Sequence, residues 1–185
     1  VIPGCDVASF QGVPRDWQGA AGAIGFAAVK FTELQPGGIA YVNPDAAADW
    51  AWLRDHGKGR VAYLFGHPSV NMAATADLLV GELRRLGLED GDGVALDLEV
   101  TDGLPAAAVN LWALDVLRLL ERGLERTPLL YTFLSFAWAG NCASLGGYPL
   151  WISDPSSPKG EPRVPDPWKD WAVHQYATSG AIDRD

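Results

Sequence analysis

The sequence predicts an α/β fold: an irregular barrel of eight strands, mostly parallel, wrapped by four or five helices in one domain spanning residues 1–185. Three observations predict it. Short apolar runs alternate with helical stretches, the pattern of strand–helix–strand units that feed a parallel sheet. Most of those runs are nearly continuously apolar, as expected of strands covered by helices. The chain is also shorter than the ~250 residues of a regular eightfold barrel, and beyond Leu145 it turns Pro-, Gly- and Ser-rich with strand candidates close together. Regular units are therefore expected first and compact strands at the end.

Residues 4–8 and 26–31 read as the first two strands. Asn43-Pro44 suits an N-cap followed by Pro at the first helical position, opening a helix through Ala47, Trp50 and Leu53 to Gly57. A third strand is expected over 60–65, then a helix over 71–86 stopped by Gly87. The fourth strand, 93–99, leads into the longest helix, 105–122, whose broad apolar face includes Val109, Trp112, Val116, Leu117 and Leu120. Strands at 128–133 and 149–152 flank a short helix at 136–143. A surface loop with five prolines, 153–167, precedes the last strands at 172–176 and 181–183. Neither an internal repeat nor a linker is evident.

Composition narrows the function classes. Nearly half of the residues are hydrophobic and mean hydropathy is near neutral, which suits a soluble globular domain. No apolar run approaches the ~20 residues that span a bilayer, so no membrane partner is expected. The sequence opens at Val1 with no secretory-leader pattern, which is compatible with a leader outside it. A net charge of −9 argues against nucleic acid, which needs clustered Lys and Arg on one face. Arg84-Arg85, the one adjacent basic pair, reads as a solvated helix face. Cys5 and Cys142 cannot define a disulfide scaffold; a single bridge and two free thiols are both compatible with the sequence. Cys5 precedes Asp6 on a strand, so the two should face opposite sides, Cys5 toward the helices.

Chemistry concentrates on Gly93-Val94-Ala95-Leu96-Asp97-Leu98-Glu99. Strand alternation sends Asp97 and Glu99 to one side and Leu96 and Leu98 to the other. The C-terminal strand ends form the active face of a parallel barrel. Repulsion and desolvation there raise the pKa of at least one carboxyl. A protonated acid beside an anion is what glycoside hydrolysis uses, one for the leaving oxygen and one for the oxocarbenium-like transition state. The plainer reading is that Asp97 and Glu99 end a strand and cap the turn at Thr101-Asp102-Gly103. Other strand ends favour chemistry. Asp6, Glu33, Tyr63, Phe65, Tyr131, Trp151, Gln175, Tyr176 and Asp183 bring acids, aromatic rings and an amide toward one end, the profile of a carbohydrate cleft.

The ordered set Asp6…Gln11-Gly12, Tyr63-x-Phe65, Asp97-x-Glu99, Leu130-Tyr131-Thr132, Trp151, Gln175-Tyr176 and Asp183-x-Asp185 resembles glycoside hydrolase family 25, the Chalaropsis-type lysozymes of bacteria, fungi and phage. The match runs from Gly4 to Asp185. The resemblance implies an irregular TIM-like β/α barrel of eight strands and about five helices. It also implies hydrolysis of the β-1,4 bond between N-acetylmuramic acid and N-acetylglucosamine. Glu99 resembles the general acid and Asp97 its partner, with Asp6 and Asp183 as flanking acids. Tyr63, Phe65, Tyr131, Trp151 and Tyr176 resemble aromatic walls, Gln175 a polar contact, and Glu33 joins the substrate-binding set. Two positions depart from the family pattern: Ala8 stands where Ser is usual, and Leu64 where His is usual.

The resemblance points to net retention, with the substrate's acetamido group as nucleophile and Asp97 orienting it. α-Carbons two apart on a strand lie about 6.5–7 Å apart, and rotamers then reach either the ~5–5.5 Å of retaining or the ~6.5–9.5 Å of inverting pairs. No cofactor or metal is expected, since His56, His67 and His174 form no ligand cluster, although His67 borders the expected cleft. The partner implied is bacterial peptidoglycan, met by a monomer that is secreted, wall-associated or a phage endolysin. The competing readings are a catalytically silent glycan-binding barrel and, more weakly, a chitin-cleaving enzyme.

Overall fold

The computed structural model describes residues 1–178 and 181–185. The strands are β1 (Gly4–Val7), β2 (Phe26–Gln35), β3 (Ile39–Val42), β4 (Gly59–Phe65), β5 (Gly93–Asp97), β6 (Leu129–Phe133), β7 (Leu150–Ser153), β8 (Val173–Gln175) and β9 (Asp183–Arg184). The helices are α1 (Pro14–Ala21), α2 (Ala46–Asp55), α3 (Met72–Leu86), α4 (Ala106–Leu124) and a single turn, α5 (Leu134–Phe136). Eight strands form one path in the order β8-β7-β6-β5-β4-β2-β1-β9, with β3 hanging off β2. All neighbours on that path are parallel except β1 and β9. The ends of the path nearly meet. Ala177, just past β8, bridges Arg184 of β9, with Tyr176 N–H donating to Arg184 C=O at 2.9 Å.

Alternation separates two apolar cores. The outward-facing residues of the strands, Val7, Val29, Ala62, Leu64, Val94, Leu96, Leu98, Leu130 and Ile152 among them, pack beneath the helices in one large cluster. Inside the barrel lies a small cluster of Ala28, Tyr63, Ala95 and Trp151. The two alanines leave the room that the rings of Tyr63 and Trp151 fill, edge to face at 6.1 Å. Cys5 and Cys142 are free and buried, Cys5 on the helical side as its parity requires.

Local chemistry explains the differences from the expected elements. Helix α2 begins at Ala46, because Asn43 makes an Asx turn, its Oδ1 accepting from Asp45 N–H at 3.0 Å and its amide donating to Lys30 C=O at 2.7 Å. Asn71 does cap α3, accepting from Ala74 N–H at 2.9 Å. Helix α1 escaped the sequence reading: its buried face is Pro14, Trp17 and Ala21, too short a stripe to give a period. The β2–β3 hairpin escaped it too, although Gly37 and Gly38, with φ of 93° and 81°, carry the turn. The helix expected over 136–143 is α5 followed by a π-turn, Ala137–Asn141, interrupted by Gly140 at φ 85°.

At the strand N-termini, Arg60 holds Asp92 with two hydrogen bonds of 2.7 and 2.6 Å beneath the ring of Trp50. Both side chains are more than nine-tenths buried. Removing Asp92 leaves Arg60 only the more distant, exposed Glu89 at 3.4 Å, so Asp92→Ala is expected to lower unfolding free energy by about 2–4 kcal/mol. Urea denaturation checks this; a loss below about 1 kcal/mol contradicts it.

Candidate active site

The inward-facing residues at the C-terminal strand ends line a cavity of about 290 Å³. Its wall contains Asp6 from β1, Lys30 from β2, Tyr63 and Phe65 from β4, Asp97 and Glu99 from β5 and just beyond, Tyr131 from β6, Trp151 from β7, Gln175 from β8 and Asp183 from β9. Register brings them level: Phe65 pairs with Asp97, Asp97 with Tyr131, Tyr131 with Trp151, and Asp6 with Asp183 across the antiparallel contact. Strand β5 ends at Asp97, not Glu99 as expected, but the chain stays extended. Leu98 N–H donates to Tyr131 C=O at 3.0 Å and Thr132 Oγ1 donates to Leu98 C=O at 3.0 Å. Leu98 is thus held in the outer core, and Asp97 and Glu99 both turn inward. Gly66 allows this close approach: a Cβ there would lie 3.0 Å from Asp97 C=O and 2.9 Å from Leu96.

Two expected site residues lie elsewhere. Tyr176 shares the parity of His174, not of Gln175; it packs edge-on to His174 and under the Lys159 ammonium, outside the acid cavity. Glu33 sits behind the cavity wall, accepting from Lys30 Nζ at 2.6 Å and meeting His67 Nε2 at 3.2 Å. Ala8, one of the two departures from the family pattern, lines the cavity, and two further lining residues escaped the sequence reading: Lys30 and Phe10. Phe10 stands at the rim with 84% of its surface exposed. An aromatic residue directly ahead of Gln11-Gly12 was the available signal.

Polar contacts orient the acids. Tyr131 OH donates to Gln175 Oε1 at 2.8 Å, and Gln175 Nε2 donates to Asp6 Oδ2 at 2.7 Å. Trp151 Nε1 donates to Asp185 Oδ1 at 2.8 Å, deeper in the barrel. Asp97 Oδ1 is buried with no hydrogen-bond partner among the described residues.

Burial, reinforced by Glu99, holds the Asp97 carboxyl well above the ordinary carboxylate range. Burial also raises Glu99, against the pull of Lys30. The two titrate as a unit that keeps a proton at pH values where isolated carboxyls are ionised. Burial lifts Asp6 to about 7, opposed by Gln175 and helped by Asp183 and Glu99, and burial raises Asp183 as well. Among the described residues, no group of three His, Cys, Asp or Glu side chains has metal-holding geometry.

Asp6 has a consequence for stability. The native state holds its proton up to about pH 7, whereas an unfolded chain releases it near pH ~3.9. Between these values the native state binds more protons, so this group's contribution falls as pH rises. Asp6→Asn is expected to raise unfolding free energy by about 1–3 kcal/mol at pH 8 and to flatten the decline between pH 5 and 8. Urea titrations at the two pH values decide this; an unchanged slope contradicts it.

Comparison with known proteins gives the cavity its context. The uncharacterized protein YegX of Escherichia coli K12 is 28% identical over 193 residues, covering 98% of this chain. This chain spans 65% of the length of that relative. The muramidase of Acremonium alcalophilum superposes with a TM-score of 0.79 at 23% identity, over 100% of this chain and 92% of the other. The lysozyme of Streptomyces coelicolor gives 0.78 at 24%, over 99% and 90%. The spore cortex lytic enzyme SleM of Clostridium perfringens gives 0.79 at 22%, over 99% and 66%. At such identities these structures establish a shared fold. The sequence itself goes further: the model of glycosyl hydrolases family 25 matches residues 5–185, and the chain belongs to that family.

Proposed function

We propose that this chain is a lysozyme-type muramidase that hydrolyses the β-1,4 bond between N-acetylmuramic acid and N-acetylglucosamine in bacterial peptidoglycan, with net retention. The observation that carries the reading is the Asp97–Glu99 pair. Two carboxyls share one inward strand face, one sealed within the barrel and one open to the cavity, and both are raised above their ordinary pKa.

Glu99 is the more exposed of the two and acts as general acid, delivering its proton to the leaving glycosidic oxygen. Asp97 is too enclosed to receive a whole sugar ring. Its carboxyl lines the cavity and suits a smaller task, accepting the N–H of the substrate's acetamido group, so that the acetamido oxygen attacks the anomeric carbon. Glu99, now ionised, takes a proton from the water that opens the resulting ring, and configuration is retained by two inversions. Asp6 and Asp183 flank the pair, and their carbonyl oxygens add dipoles that favour an oxocarbenium-like centre. Tyr63, Phe65, Tyr131 and Trp151 give apolar faces to the sugars, and Phe10 adds one at the rim. One chain lines the whole cavity, so a monomer suffices, and the substrate locates its action at the cell wall, as a secreted enzyme or a phage endolysin.

Glu99→Gln is expected to cut turnover by about 10²–10⁴-fold while keeping glycan binding. A variant that clears cell walls as fast as the wild type refutes the assignment, and a wild type that binds without cleaving marks a silent glycan-binding barrel. Mass spectrometry of wild-type digests should find muramic-acid reducing ends; N-acetylglucosamine reducing ends contradict the bond assigned. NMR of the first product should find the β-anomer, and the α-anomer excludes retention.

A further inference from the structure

Lys30 is the one cation among the described residues that line the cavity, which otherwise offers four carboxyls, aromatic rings and an amide. Its placement is built. In a regular strand, residues three apart point to opposite faces. Strand β2 breaks that rule, because its register against β4 shifts between Lys30 and Thr32, where Lys30 pairs with Tyr63 and Thr32 with the very next residue, Leu64. The bulge brings Glu33 to the same side as Lys30, close enough for a 2.6 Å ion pair, and bulges beside active sites re-aim side chains in this way.

Glu33 is itself anchored from behind. Its Oε1 meets His67 Nε2 at 3.2 Å, His67 Nδ1 meets Asp102 Oδ1 at 3.0 Å, and Asp102 Oδ2 accepts from Ser69 N–H and Oγ at 3.1 and 2.9 Å. Lys30 lines the cavity and Glu33 does not, so the ammonium faces the substrate with its counter-ion at its back. Phe65 and Tyr41, their ring centres 4.9 and 5.6 Å from Nζ, fix its lateral position. An ammonium has three N–H donors, and Glu33 is the one acceptor it meets among the described residues.

N-acetylmuramic acid differs from N-acetylglucosamine only in a lactyl ether that ends in a carboxyl. Among the described residues that line the cavity, Lys30 is the one group whose charge attracts an anionic substituent. We infer that Lys30 is the specificity-determining residue that receives a carboxylate carried by the muramyl sugar, an inference that rests on the muramidase reading above. That carboxylate is either the lactyl group itself or, where a peptide stem caps it, an acid of the stem.

The test measures binding in the Glu99→Gln background, so that it does not depend on turnover. Three ligands are titrated by calorimetry: peptide-free glycan strands, the same strands with the lactyl carboxyl converted to its methyl amide, and stem-bearing strands. Glu99→Gln should bind the acid form about tenfold tighter than the amide. Adding Lys30→Met should bring the ratio to about one, and adding Lys30→Arg should keep most of it. Equal affinity for acid and amide in Glu99→Gln overturns the inference, as does an acid preference that survives Lys30→Met. Circular dichroism checks the fold of Lys30→Met, and the Lys30→Arg arm decides the matter if that variant does not fold, since an Arg protein without acid preference overturns the inference too. A loss on peptide-free strands alone assigns the carboxylate to the lactyl ether, and an equal loss on stem-bearing strands extends it to the stem. Wild-type digestion that cuts chito-oligomers instead of peptidoglycan would defeat the muramidase reading, a result distinct from any binding ratio.

Discussion

The constraint on which this molecule turns is the enclosure of several carboxyls on the inner face of one small barrel. Asp6, Asp97, Glu99, Asp183 and Asp185 lie within mutual reach, where low polarity strengthens repulsion and penalises charge. The fold meets that constraint mainly by leaving protons on acids and by aiming neutral donors at them: Gln175 at Asp6 and Trp151 at Asp185. A single ammonium, held off by its own counter-ion, is the only positive charge among the described residues of the cavity wall.

Barrel geometry divides the work between the two faces of each strand. The outer face carries aliphatic residues into the helical layer and supplies most of the apolar burial. The inner face is thereby free to hold polar groups that would be costly in an ordinary core. Its own apolar cluster is small, two alanines beneath Tyr63 and Trp151, and it serves as a floor on which the acids stand. A cavity therefore exists at one end of a barrel that is otherwise filled.

Much of this was legible because a strand's alternation is rigid. The parity of Asp97 against Leu96 and Leu98 follows from the sequence, as does that of Cys5 against Asp6, and both hold in the structure. The same rule places Tyr176 with His174 on the outside, where an aromatic residue beside a glutamine had suggested a wall of the cleft. What resisted reading were features with no period. Helix α1 buries only three residues, and the β2–β3 hairpin hides behind a polar stretch. The bulge at Lys30 depends on a register slip against another strand, a property of two segments rather than one. Lys30 was consequently invisible as a site residue, and Glu33 was credited with a position that it only supports.

The antiparallel contact between β1 and β9 brings Asp6 level with Asp183, residues from opposite extremes of the sequence. Gln175 meets Asp6 across a separation of 169 positions. Contacts of such span bear the largest loop-closure entropy and belong to the late, slow part of assembly. A partly folded chain, with its central strand–helix units already formed, would still lack the acids that its two extremes contribute. The acid cavity is therefore complete only when the two extremes of the chain meet: a nearly finished core still lacks Asp183 beside Asp6 until the last strand docks.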